Sequence, residues 1–123
     1  MKINRFEEIE AWQCARHLAS EVGKIIAEGE FAKSYALKDQ IDRAAGSAMD
    51  NIAEGFNGGS TAEFVRFLSY AQRSCLEVQS QLYRALDRKL ITQSQFNDLY
   101  ELADKTRAKT GGFIKYLKSY KNR

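Results

Sequence analysis

The sequence predicts an all-α protein, an up-down-up-down antiparallel four-helix bundle, with residues 1–123 forming a single domain. Three observations lead there. Four segments repeat apolar residues at the 3.6-residue helical period. Short breaks separate them, and short connections make consecutive helices antiparallel neighbours. The chain has no proline, while Leu, Ala, Glu, Lys, Gln and Arg, the strong helix formers, are plentiful. A chain of 123 residues is long enough to bury about two-thirds of its surface in one core.

Helix one is expected from Phe6 to Glu28, with Phe6, Ile9, Trp12, Ala15, Leu18, Val22 and Ile25 on its inner face and Gly29 as its stop. Glu30 to Lys33 make a short connection, and Ser34 is placed to cap helix two. Helix two carries Leu37, Ile41, Ala44, Ala45, Ala48 and Ile52 at three- and four-residue steps. Gly55 is expected to end it in a left-handed turn, followed by the loop Asn57-Gly58-Gly59. Ser60-Thr61-Ala62-Glu63 has the form of a capping box and opens helix three, whose inner face is Phe64, Phe67, Leu68, Ala71, Cys75, Val78, Leu82 and Ala85. Arg88 to Ile91 form a break. A second capping box, Thr92-Gln93-Ser94-Gln95, opens helix four, with Phe96, Leu99, Leu102, Ala103, Thr106, Phe113, Ile114 and Leu117 facing inward. Gly111-Gly112 lies inside that helix, where each Gly costs up to about 1 kcal/mol, and a kink or the close approach of a neighbouring helix would account for the pair.

No apolar run approaches the roughly 20 residues of a membrane span, and the N-terminus lacks the apolar centre of a signal peptide. The expectation is a cytoplasmic protein with no membrane contact. Cys14 and Cys75 are far apart and without metal-site spacing, and read as small core residues in a reducing compartment. His17 is the only histidine, so the paired Glu-x-x-His motifs of bundle metal sites are absent and no metal or cofactor is expected. Cys14 and His17 share a helix face but lack the orienting group and oxyanion donors of a nucleophilic site. Gly55-Phe56-Asn57-Gly58-Gly59 lacks the Gly-Lys-Ser/Thr ending of a nucleotide loop, and serves better as a helix stop and turn.

Two features remain. Arg43, Ser47, Asn51 and Glu54 form a polar stripe beside the apolar face of helix two, and Ser74 and Glu77 on helix three can approach it across the Gly58-Gly59 loop. A buried hydrogen-bond and ion-pair network fixing helix register is the expected role, with ligand binding the alternative. The second feature is charge. The net charge is +3, but residues 104–123 carry seven Lys and Arg against Asp104 alone, a local +6, while residues 1–103 carry 12 against 15 acidic residues. At about 100° per residue, Lys105, Arg107, Lys109, Lys115 and Lys118 fall outside the apolar arc of helix four, with Tyr116 and Tyr120 near its border. Such a surface suits RNA or DNA, phosphates meeting Lys and bases stacking on Tyr. It also suits a solvated face whose charge complements the helix C-terminal dipole.

The order of motifs resembles the four helix bundle protein family, whose founding members are encoded by intervening sequences in bacterial 23S ribosomal RNA genes. The resemblance rests on Trp12-Gln13, Ala15 and Leu18, then Leu37 to Gln40, Arg43-Ala44-Ala45, Ser47 and Asn51-Ile52-Ala53-Glu54-Gly55. Ser60, Glu63-Phe64, Phe67-Leu68, Ala71, Ser74 and Glu77 follow in the expected sequence. The chain departs from the pattern at Gly29-Glu30-Phe31-Ala32, where the family usually has a proline, at Asn57-Gly58-Gly59, where an arginine is common, and at Arg73, where glycine is usual. The resemblance implies a bundle that assembles into a homo-oligomeric ring, commonly a pentamer, with no established enzyme activity and a largely genomic link to ribosomal RNA. A distantly similar bundle, the accessory protein of diversity-generating retroelements, works with a reverse transcriptase and nucleic acid. The abundance of Phe, Tyr and Trp also leaves apolar surface for subunit contacts. The reading is a non-enzymatic oligomeric scaffold that binds nucleic acid or a ribonucleoprotein partner. The alternative is a protein-protein interaction adaptor with no nucleic-acid affinity.

Overall fold

The computed structural model describes residues 3–121, and of Lys121 the backbone only. The Lys121 side chain and Arg123, part of the basic C-terminal run, therefore lie outside the described residues. Four helices make the bundle: α1 Glu10–Ile26, α2 Tyr35–Phe56, α3 Thr61–Asp87 and α4 Gln93–Lys121. Among the described residues there is no strand. Each helix packs on two neighbours, α1 on α2 and α4, and α3 on α2 and α4. The pairings run antiparallel. Across α2 and α3, Gly55 meets Phe67, Ser47 meets Ser74 and Gln40 meets Arg84. Across α3 and α4, Phe64 meets Phe113, Gln72 meets Arg107 and Tyr83 meets Phe96. The core between them is Leu18, Val22, Leu37, Ile41, Ile52, Leu68, Val78 and Leu82 with the smaller Ala15, Ala48, Ala71 and Ala103, all almost wholly buried.

The helix ends show where local chemistry operates. Thr92 forms the complete capping box: its Oγ1 accepts from the Gln95 amide at 3.1 Å, and Gln95 Oε1 accepts from the Thr92 amide at 2.9 Å. Ser60 makes half of one, accepting from the Glu63 amide at 3.1 Å, while the Glu63 carboxylate turns to Arg66 at 2.7 Å. Ser34 makes no side-chain cap; its hydroxyl donates back to the Glu30 carbonyl.

Helix one differs from expectation at its start. Phe6–Glu8 form a single 3₁₀ turn, and Ile9 is extended (φ −78°, ψ 120°) before α1 begins. That break tucks Ile9 into the core, only 3% exposed, and seats the Phe6 ring edge-on against Trp12 at 5.1 Å. The Gln13 side chain closes the turn by donating to the Glu7 carbonyl at 2.8 Å.

Gly55 also differs. It does not enter the left-handed region but stays inside α2, which ends at Phe56 with Asn57 as its cap. A Cβ on Gly55 would lie 2.8 Å from Phe67 Cβ and 2.9 Å from Phe64 Cδ1. The missing side chain therefore serves the close approach of α3. The left-handed turn falls at Gly59 (φ 93°) instead.

α3 ends in a Schellman motif: the Lys89 amide donates to Leu86 O and the Leu90 amide to Ala85 O. Lys89 occupies its left-handed position at φ 59°, where glycine is preferred. Lys89→Gly is expected to raise stability by about 0.5–1 kcal/mol, read as a higher melting temperature.

Candidate nucleic-acid interface

The basic residues of α4 divide by environment. Arg107 is drawn into the α3/α4 seam: its guanidinium bonds Asp104 at 3.0 Å and its carbonyl accepts from Gln72 at 3.2 Å. The Arg107 pairing holds the Asp104 carboxyl below its ordinary value. Lys109 reaches across to Glu10 on α1 at 2.9 Å, raising its own pKa and lowering that of Glu10. Lys105, Lys115 and Lys118 are exposed and make no ion pair among the described residues. Tyr116 stacks on Phe113, with planes 7° apart, and continues to the exposed Tyr120 at 5.9 Å. The helix thus presents unpaired ammonium groups and a short aromatic ladder along one C-terminal half.

A second basic-aromatic group, not singled out in the sequence, lies on α3. Arg66 stands 5.6 Å from the Phe67 ring and 5.9 Å from Tyr70, and Arg73 stands 5.7 Å from Tyr70 on the same helix. Arg66 and Arg73 are exposed. Their spacing with Tyr70, four residues back and three forward, was the available signal, since those positions share a helix face. Arg73 is also the position at which the chain departs from its resemblance.

The polar stripe is brought together only in part. Asn51 donates to Ser47 O at 2.8 Å and to Ser47 Oγ at 2.9 Å, and Ser74 Oγ meets Ser47 Oγ at 3.0 Å. Those three join α2 to α3, with Ser74 buried. Arg43, Glu54 and Glu77 do not join them. All three are exposed, and Arg43 pairs with Asp39 one turn earlier at 3.1 Å. The expected buried ion pair is absent because these residues sit on the outer rim of the α2/α3 seam, where water solvates them. They border an open trough that also meets Gln81, whose Oε1 is buried without a donor. Glu54→Ala is accordingly expected to shift stability by no more than about 0.5 kcal/mol, measurable by chemical denaturation.

Nucleophilic chemistry finds no footing. Cys75 is wholly buried, and burial pushes its thiol up to about 12, so it stays protonated and unreactive at neutral pH. His17 is exposed. Among the described residues no three of His, Cys, Asp and Glu gather into a metal-binding group, and no helix is long and apolar enough to cross a membrane. The amide of Glu63, which would face a phosphate at the start of α3, is taken by Ser60.

Comparison with known proteins adds a family. The family model described as 23S rRNA-intervening sequence protein matches residues 7–112. A solved structure, that of a protein with unknown function from the S23 ribosomal protein family of Bacteroides thetaiotaomicron, is similar with a TM-score of 0.79 and 20% sequence identity. The likeness covers 85% of this chain and 98% of that one, and at this identity it carries the fold. No curated protein matches the chain.

Proposed function

The chain belongs to the 23S rRNA-intervening sequence protein family, and from that premise we propose that it is a non-enzymatic, oligomeric scaffold that binds RNA or DNA through the C-terminal half of α4. The observation that carries this reading is the set of exposed, unpaired Lys105, Lys115 and Lys118 beside the Phe113-Tyr116-Tyr120 ladder. A phosphate backbone is held by such point charges without fixed geometry, and stacked rings accept bases of any identity. The Arg66-Tyr70-Arg73 group on α3 extends the basic-aromatic surface.

Assembly supports the reading energetically. One chain offers only a few weak phosphate contacts, whereas a ring repeats them around its circumference and converts weak contacts into avidity. We assign the contact between copies to the α2/α3 trough. Arg43, Glu54 and Glu77 find no partner across the seam within the chain, and Gln81 Oε1 awaits a donor. A head-to-tail contact between copies closes into a ring, most simply of five by the family resemblance.

The test is light scattering with RNA retention on the same sample. An oligomeric mass at micromolar concentration and RNA retained at low salt are expected. An oligomer that retains no nucleic acid favours the protein-adaptor role, and a monomer contradicts the scaffold.

A further inference from the structure

An apolar groove of about 620 Å³ runs along the seam where the N-terminal segment and the start of α1 meet α4. Ile3, Ile9 and Ala11 form one side, Phe113 and Tyr116 the other, and Gly112 lies between them. Its volume falls within the range of small-molecule sites, and its lining is mostly apolar with a few charged groups at the rim.

Gly112 sharpens the case. Gly111 and Gly112 each weaken a helix interior by up to about 1 kcal/mol. Gly111 has a reason inside the chain, since a Cβ there would stand 2.9 Å from Gln72 Nε2. Gly112 has none: nothing lies within 4 Å of the place its Cβ would take. The open space above it is continuous with the groove. The folded chain does not require a small residue there, whereas a molecule lying along the groove would.

The rim sets the ligand's charge. Glu10 is already neutralised by Lys109 at 2.9 Å, and Glu8 accepts from the Asn4 amide at 3.3 Å. Lys105 has no ion pair among the described residues and acts on Glu10 only at longer range. One uncommitted ammonium group therefore stands beside an apolar channel with a flat aromatic wall. We propose that the groove binds an amphiphile with an apolar body and a single anionic head, of the fatty-acyl carboxylate class, its head on Lys105 and its chain over Gly112. This site is independent of nucleic-acid binding by Lys115 and Lys118.

Calorimetric titration of the intact protein with laurate, and with dodecanol as its neutral counterpart, tests it. Saturable laurate binding is expected. Lys105→Met is expected to weaken laurate by about fivefold or more while leaving dodecanol unchanged, because only the carboxylate uses the charge. Gly112→Leu is expected to weaken both by at least about tenfold, with a melting temperature no lower than wild type, since it fills open space and favours helix. Laurate should also shift the backbone amide resonance of Gly112 in the unmodified protein, a reading that needs no variant. Undiminished binding to Gly112→Leu, an unmoved Gly112 resonance or no saturable binding overturns the proposal. Loss of assembly on Gly112→Leu without laurate binding to wild type gives the groove to a second copy and overturns it equally. RNA retention is unaffected by these last outcomes, so failure here leaves the scaffold reading standing.

Discussion

Replacing Phe31 with alanine is expected to cost about 3–5 kcal/mol. Phe31 sits in the one-turn 3₁₀ segment Phe31–Lys33 that joins α1 to α2, yet it is 1% exposed and is the largest fully buried side chain of the bundle. Truncation removes its apolar burial and leaves a cavity that close-packed helices fill only in part. A domain of this size has a total stability of about 5–15 kcal/mol, so the variant should melt far below wild type or fail to accumulate folded. Tyr35, four residues on, provides the control. It is 76% exposed, and Tyr35→Ala should change stability by no more than about 0.5 kcal/mol. Equal losses at the two positions would contradict the described packing of the connection.

The second large effect is expected at Gly55. Alanine is the better helix former by about 1 kcal/mol, so local propensity alone predicts stabilisation. Packing predicts the reverse. The new Cβ would press on Phe67 Cβ at 2.8 Å and on Phe64 at 2.9 Å. Phe67 Cβ is the stem of its side chain and moves only with the backbone of α3, so the two helices must separate beside their loop. Overpacking of this kind costs about 1–3 kcal/mol, and Gly55→Ala should lower the denaturation midpoint. Gly23→Ala has nothing within 4 Å of its new Cβ and should raise stability by up to about 1 kcal/mol. Opposite signs for one substitution at two helical glycines are the diagnostic result; stabilisation at both would remove the close α2/α3 contact.

These two positions also mark what the sequence could and could not reveal. The four helices were legible because the apolar period persists over long segments, and the Thr92 box because its two hydrogen bonds are purely local. Phe31 was not legible as core, since it stands alone between breaks with no period to declare its direction. Gly55 has the spelling of a helix stop, and only the position of α3 shows that its small size serves packing. Ile9 fits the helical period yet breaks the helix, because the Phe6–Trp12 contact and the Gln13 cap need the chain to turn there.

The polar stripe shows the same limit. Periodicity places Arg43, Ser47, Asn51 and Glu54 on one side of α2 but cannot say how deep that side lies. Ser47 and Asn51 occupy the inner edge and reach Ser74; Arg43 and Glu54 occupy the outer edge and meet water. The basic half of α4 was legible as composition, but not its partition. Arg107 and Lys109 are engaged by Asp104 and Glu10, and Lys105, Lys115 and Lys118 are left unpaired among the described residues. The α3 arginines around Tyr70 were passed over because three residues among many charges carry little weight until their rings and guanidinium groups are seen together.

The most direct measurement of the central claim is filter retention of RNA as a function of salt, for wild type and for the double reversal Lys115→Glu, Lys118→Glu. Both lysines are exposed and free of ion pairs among the described residues, so the double variant should fold and assemble as wild type does. For a phosphate-binding surface, affinity falls with salt at a logarithmic slope of about 0.7 per neutralised phosphate on a single strand. Wild type should lose affinity steeply between low and physiological salt. The double reversal should bind more weakly at low salt, with a shallower slope. An intact oligomer whose double-reversed form retains RNA with unchanged affinity and slope would contradict a nucleic-acid surface on the C-terminal half of α4.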